Sequence, residues 1–441
     1  MPAEFPLLPP DHPDRALLAD EVHARPPEPL AAPSRASYVA VRIEPDARGA
    51  EWDHIAALCR PHGVTPPAEA PTQWAATLGL LRFKWERHGE FSSYTFFTPG
   101  LSPTPFAEPV VAALPAGWLA GVPGQTVCAA HAKLARADAL QDGPGGLPSA
   151  AQLAAHFGAN VVVGAGLGDG AGLAFTDFRI HADGFTRLLL LDREMTERQA
   201  GRMLQRLFEI EAYRMMALLA LPVARALWPR LLEIERTLAM LTAEIAEQRG
   251  ADEALLQQLT ALAAEIERAL SASQARFGAS RAYHALVVTR IAELREQRLP
   301  GLQTIDEFMT RRLSPAMATC ATVSQRLHDL SERVAQASSL LSTRVDIARQ
   351  RQNQALLAAT ARRAKLQLRL QQTVEGLSVA AIVYYMAGLV GYGAKALKAA
   401  GLPLSPDLVT GAAIPLLGAL AWWTLRRVHA RIAHDDDAAP H

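Results

Sequence analysis

Glu21-Val-His23-Ala-Arg25-Pro26 sets an acid, an imidazole and a guanidinium at alternate positions of a 441-residue chain. Pro26 and Pro27 favour an extended backbone before them, and in extended chain alternate side chains point the same way. Glu21, His23 and Arg25 would then share one side, where a histidine titrating near neutrality can run acid–base chemistry. The same trio can be an ion-paired clamp between a domain and a helix, and that structural reading comes first. Lys84, Glu86, Arg87, His88 and Glu90 crowd a hairpin that is a candidate neighbour. The candidate polar cluster is therefore Glu21, His23, Arg25, Lys84, Glu86 and Arg87, with no residue assigned as catalytic.

Other chemistries are disfavoured by what surrounds their residues. Gly164-Ala-Gly166-Leu-Gly168 is followed by turn residues and a strand signal, so no helix N-terminus is in place to hold a pyrophosphate. No GxxxxGK[ST], HExxH or GxSxG occurs. Cys59, Cys128 and Cys320 are far apart, which points to buried thiols rather than a disulfide framework or zinc site. No metal and no cofactor is expected. Lys plus Arg equals Asp plus Glu at 44 each, so no global field favours nucleic acid. The first residues have neither a basic nor an apolar signal region, which predicts that the soluble part stays where it is made.

The elements that would carry these groups change character along the chain. Residues 1–192 read as a mixed α/β domain, a meander of strands with helices on one side. Strands are expected over 36–44, 80–87, 91–98, 126–131, 160–164, 174–180 and 185–191, and helices over 51–59, 105–112 and 149–157. Residues 193–314 are helical: one helix over 194–227 that Pro222 bends or ends, a hairpin of 231–247 and 253–272, and another helix over 281–298. Thr304 and Glu307 form a capping box for a short helix to Arg312. Residues 315–375 form a long stalk helix with a coiled-coil-like seam at Leu327, Leu330, Val334, Ala337, Leu341, Val345 and Ala348.

Two windows then lose their charge. Gly376–Ala394 and Leu408–Leu425 hold 19 and 18 uncharged residues, enough for helices that cross a hydrocarbon core of roughly 30 Å. They are joined by a short outer loop, 395–407, and followed by a cytoplasmic tail, 426–441, with a frayed end at His434–Asp437. Arg362, Arg363, Lys365 and Arg369 precede the first span, and Arg426, Arg427 and Arg431 follow the second. That bias places both termini in the cytoplasm. Small residues such as Ala387, Gly388 and Gly391 permit close helix contact in lipid, and the seam invites identical subunits, so a homo-oligomer is expected. Its subunits would meet along the first span and the stalk.

Long stretches carry a family resemblance: EVHARP at 21–26, RFKWERHGEFSSYTFF at 82–97, TDFRIHADGFTR at 176–187, QRLFEIEAYRMMALLALPVAR at 205–225, LSTRVDIARQRQNQALL at 341–357 and RRAKLQLRLQQTVEGLSVAAIVYYMAGLVGYGAKAL at 362–397. They resemble the bacterial DUF3422 family of membrane-anchored proteins over almost the whole chain, which implies anchorage and little about chemistry. The architecture, an α+β soluble part and a long helix entering the membrane, also resembles CorA-type magnesium channels. Their Gly-Met-Asn is absent, and Gly391-Tyr392-Gly393 stands in its place. The candidate pore or membrane-mouth residues on that comparison are Asn353, Glu375, Tyr384, Tyr385, Gly391, Tyr392 and Gly393. The functional expectation is a structural or partner-binding protein of the bacterial inner membrane, in contact with lipid, a reading that leans away from an enzyme without deciding it. The alternatives are a CorA-like ion channel or transporter, then an enzyme using Glu21, His23 and Arg25.

Overall fold

The computed structural model describes residues 9–22, 26–140, 142–143, 146–400, 403 and 405–436. The fold is α+β, with a mixed sheet and long helices, and the chain divides into two compact units, 1–339 and 340–441.

In the first unit, a helix α1 (Arg15–Val22) leads into strand β1 (Ser34–Arg42) and helix α2 (Arg48–Cys59). A meander of β2 (Gln73–Leu78), β3 (Leu81–Arg87) and β4 (Phe91–Pro99) follows, then β5 (Gln125–Arg136), α3 (Ala150–Phe157) and a second meander, β6 (Val163–Leu167), β7 (Gly172–Thr176) and β8 (Thr186–Asp192). With β9 (Gln297–Arg298) these pair in the order β2-β3-β4-β1-β5-β8-β7-β6-β9. β5 and β8 run parallel, and β1 is antiparallel to both its neighbours.

Strand alternation divides the side chains between two faces. Val39, Val41, Phe83, Trp85, Tyr94 and Phe96 pack with Trp52, Ile55 and Leu58 of α2, and Leu173, Phe175, Leu189 and Leu191 pack with Phe157 of α3. The other face meets a helix α4 (Glu197–Leu218), where Tyr38 of β1 stacks on Phe208 at 4.8 Å. Helices thus cover both faces, not one as the meander suggests. Central strands buried on both sides lose the polar-out signal that marks a one-sided sheet.

Several local expectations shift for identifiable reasons. The first meander has an extra edge strand, β2, whose half-exposed residues give no clean period. β5 runs on to Arg136, and β6 starts three residues later than expected. β7 stops at Thr176 rather than continuing to Ile180, because the Asp177 carboxylate accepts the Arg179 amide at 3.1 Å and Phe178 takes φ 53°. Residues 105–112 are turns with a short 3-10 segment, Val110–Ala113, in a stretch interrupted by prolines.

α4 gives way to α5 (Ala220–Ala246) one turn before Pro222. The Leu218 carbonyl is the group that a proline at 222 leaves without an amide. Pro229 lies inside α5 without ending it. The two helices expected over 253–298 are one, α6 (Asp252–Leu294). Gly278 costs a helix about 1 kcal/mol, and burial of Phe277 and Ser280 on either side outweighs it. α7 (Ile305–Arg312) carries the Thr304–Glu307 capping box. α8 then runs unbroken from Ser314 to Ala399. Within this unit its seam residues Leu327, Leu330, Val334 and Ala337 are buried, with Arg326 beside Glu235 and Trp228 of α5. The chain's own helices therefore cover that part of the seam.

The second unit is the rest of α8 and α9 (Pro406–Asp436). Pro415 lies inside α9, and the helix continues through Asp436, past the tail expected to fray at His434. Ala387 and Ala394 are buried and Gly391 faces Thr410 of α9, so the two helices meet along one small-residue face.

Candidate functional site

A polar interior lies between the sheet and α4. Alternation turns Lys84 and Glu86 away from Phe83 and Trp85, and the registers place Thr95 beside Lys84, Ser93 beside Glu86 and Tyr38 beside Thr95. Lys84 and Glu86 are each 6% exposed. The Lys84 ammonium is 2.9 Å from Glu86 Oε1 and donates to the Pro26 carbonyl at 2.7 Å. Gln205 Oε1 is 3.5 Å from Lys84 Nζ, and Gln205 donates to Glu209 at 2.8 Å. Glu209 accepts from Arg290 of α6, whose guanidinium also holds Glu293 at 3.0 Å. A chain of polar contacts therefore links β3 through α4 to α6. Burial pushes the Tyr38 hydroxyl far above its ordinary range, so it stays a neutral donor.

What brings Pro26 here is a close crossing of backbones. Leu30 donates to the Glu197 carbonyl at 3.0 Å, and a β-carbon on Gly201 would stand 1.8 Å from the Glu28 carbonyl oxygen. Only glycine lets the extended segment lie on α4.

Not all of the expected cluster assembles. Glu21 falls in the helix α1, so the extended alternation fails at its first member, and His23 and Arg25 lie outside the described residues. Arg87 ends β3 on the opposite face from Lys84 and lines an open cleft with Arg42, Arg48 and His88. Sequence reasoning missed Tyr38, Gln205 and Glu209. The four-residue spacing of Gln205 and Glu209 on an otherwise apolar helix face was the available signal.

The space beside Lys84, Glu86, Tyr38 and Glu209 measures about 20 Å³, room for one water and no substrate. Two further buried acids are equally occupied. Glu51 accepts from Trp85 at 2.8 Å, from Tyr94 at 2.7 Å and from Arg48. Asp177 accepts from Asn160 and His181, both at 2.8 Å. These are carboxylates that close turns and layers, each already engaged by protein donors.

The pore candidates are spread along α8. Asn353 is exposed, Glu375 accepts from Gln371 at 3.1 Å, and Tyr384, Tyr385 and Tyr392 are exposed. Gly391 turns toward α9, whereas Gly393 has open space. The single chain does not gather them into one site. Three helical stretches, Glu197–Ala246, Ile305–Ala399 and Pro406–Thr424, are long and apolar enough to cross a membrane.

The family model described as "Protein of unknown function (DUF3422)" matches residues 10–432. The chain belongs to the DUF3422 family. That match takes in the polar layer, α8 and nearly all of α9. No curated protein and no solved structure matches this DUF3422 chain.

Proposed function

We propose that this DUF3422 protein is a self-associating membrane tether, anchored in the bacterial inner membrane by the end of α8 and by α9, with both termini cytoplasmic. Its first unit serves to bind a protein partner. The observation that carries the reading is the apolar surface of α8 that none of the described residues covers: Leu356, Leu366, Leu370, Val374 and Leu377 are 59%, 64%, 69%, 58% and 75% exposed. Each such side chain forgoes about 1.5–3 kcal/mol when left in water. Below Gly376 the natural cover is a second copy, and beyond it lipid. Of the three apolar stretches, the one in α4 and α5 is the poorest span, because Met203, Leu207, Phe208, Met216 and Ala220 are buried in the first unit.

The mass of the full chain in mild detergent tests this. A multiple of the subunit mass is expected, and a single-subunit mass across concentrations overturns it. A second reading, a CorA-like ion pathway, is favoured by the unbroken run of α8 from Ser314 to Ala399, which can carry a displacement to the first span. Ion flux into liposomes holding the pure protein supports that reading, and its absence defeats it. The enzyme reading is the weakest, since the space in the polar layer fits a water.

A further inference from the structure

On the face of the sheet away from α4, between the two apolar cores, the central strands carry cations. β1 presents Arg35 and β5 presents Lys133 directly opposite it, while β8 presents Arg187 opposite His131 of β5. Like charges at paired positions destabilise a sheet, and these are in its middle rather than at an edge. The side chains of Arg35 and Arg187 are only 23% exposed. The Nε atoms of both are buried with no hydrogen-bond partner.

The carboxylates nearby are poor counterparts. Glu108 reaches Arg35 at 3.4 Å from a side chain that is 66% exposed, and Asp183 stands 3.8 Å from Arg187. Lys133 has no carboxylate within 4.0 Å among the described residues; its ammonium donates to His156 Nε2 at 3.1 Å. His156 Nδ1 in turn donates to the Gln152 carbonyl at 2.7 Å, which leaves Nε2 as the acceptor. Burial pushes both Lys133 and His156 down, and His131 with them.

Phe106 packs beside this group. Its ring lies 5.2 Å from the Arg187 guanidinium and 5.9 Å from the His156 ring. With Arg35, His131 and Lys133 it lines a space of about 10 Å³. Phe106 sits on the loop between β4 and β5 with φ 60°, a conformation disfavoured for an aromatic residue. A cation–π contact is a weak replacement for an anion among three cations.

We propose that Arg35, Lys133 and Arg187 form a binding site for a phosphate group, held shut by Phe106 and opened when the loop carrying it lifts. The two guanidinium forks suit the phosphoryl oxygens, and Lys133 adds a point charge. Glu108, on the same loop, leaves Arg35 as the anion arrives. This site is independent of membrane anchorage and of self-association.

The test is thermal unfolding of the full chain in detergent, with inorganic phosphate titrated against chloride at constant ionic strength. Phosphate is expected to raise Tm. Lys133→Met is expected to abolish the phosphate response. Phe106→Gly is expected to bind phosphate about tenfold more tightly, since the closed state no longer competes. In a second arm, nanodiscs containing phosphatidic acid replace free phosphate. A response confined to that arm, and lost in Lys133→Met, assigns the phosphate to a lipid headgroup. A Lys133→Met protein that still responds to phosphate overturns the site, as does a Phe106→Gly protein that responds to neither phosphate source.

Discussion

Replacing Lys84 by methionine keeps most of the side-chain volume and removes the charge beneath α4. Glu86, 6% exposed, then loses its partner at 2.9 Å and, among the described residues, keeps a 3.5 Å contact from Ser93. Breaking a buried pair on one side costs about 3–5 kcal/mol, and the orphaned Pro26 carbonyl adds roughly 1 kcal/mol. At about 2 °C per kcal/mol, the low end of the range, for a unit of this size, the Lys84→Met protein should unfold roughly 10 °C below the parent. Tryptophan fluorescence of the full chain in detergent, to which Trp85 on the same strand contributes, follows the unfolding. Converting both partners to apolar residues, Lys84→Met with Glu86→Leu, should restore most of the loss, because no uncompensated charge remains. A single substitution that costs under about 1 kcal/mol, or a double variant as unstable as the sum of the singles, would refute a structural role for the pair.

Three other outcomes follow from separate contacts. Gly201→Ala should loosen the segment at 26–33 from α4, since its β-carbon collides with the Glu28 carbonyl at 1.8 Å; chymotrypsin should then cut at Leu30, which is buried in the parent. Burial holds the His131 imidazole at about 4, below its ordinary 6.5. The unfolded chain therefore binds the extra proton, and His131 contributes stability above pH 6.5 that is lost as pH falls through about 4; in a His131→Gln variant, Tm should fall less steeply over that window. Finally, a β-carbon on Gly391 would lie 3.9 Å from Thr410 Cβ, the separation of a disulfide. Gly391→Cys with Thr410→Cys should oxidise within one chain, and cross-linked dimers in its place would contradict the α8–α9 contact.

Legibility followed the range of the interaction. The Thr304 capping box, the hairpin at 88–90 and the helix break near Pro222 are set by residues within a turn of one another, and they were readable. The second meander and the β3–β4 hairpin of the first were visible because Phe91–Pro99 and Thr186–Asp192 keep a strong β pattern, whereas β2 was not. The polar layer was not, since Lys84 on a strand, Gln205 on α4 and Arg290 on α6 meet only after the sheet and helices have packed. The second helical face of the sheet was hidden for the same reason: Lys84, Glu86, Ser93 and Thr95 look like solvent positions in sequence and are interior. EVHARP drew attention for its charges, yet what the structure places at Lys84 is the carbonyl of its last residue, Pro26.

The exposed stripe on α8 bears on how copies could meet. Steps of three and four residues from Leu356 through Ala359, Arg363, Leu366, Leu370, Val374, Leu377, Ala381, Tyr385 and Gly388 to Tyr392 average about 3.6, so these positions stay on one face of a straight helix. Every one of them is exposed in the single chain. The contact with α9 uses Ala387, Gly391 and Ala394, which lie roughly a third of a turn away at about 100° per residue. Pairing within the chain and pairing between copies therefore need not compete for the same surface. Only Arg363 interrupts the stripe, near the basic cluster before the first span. A charge at a core-facing position lowers stability while fixing register, so Arg363→Leu should strengthen association of the full chain in detergent. If that substitution leaves the oligomer's dissociation unchanged across dilution, the face from Leu356 to Tyr392 is not where the copies meet.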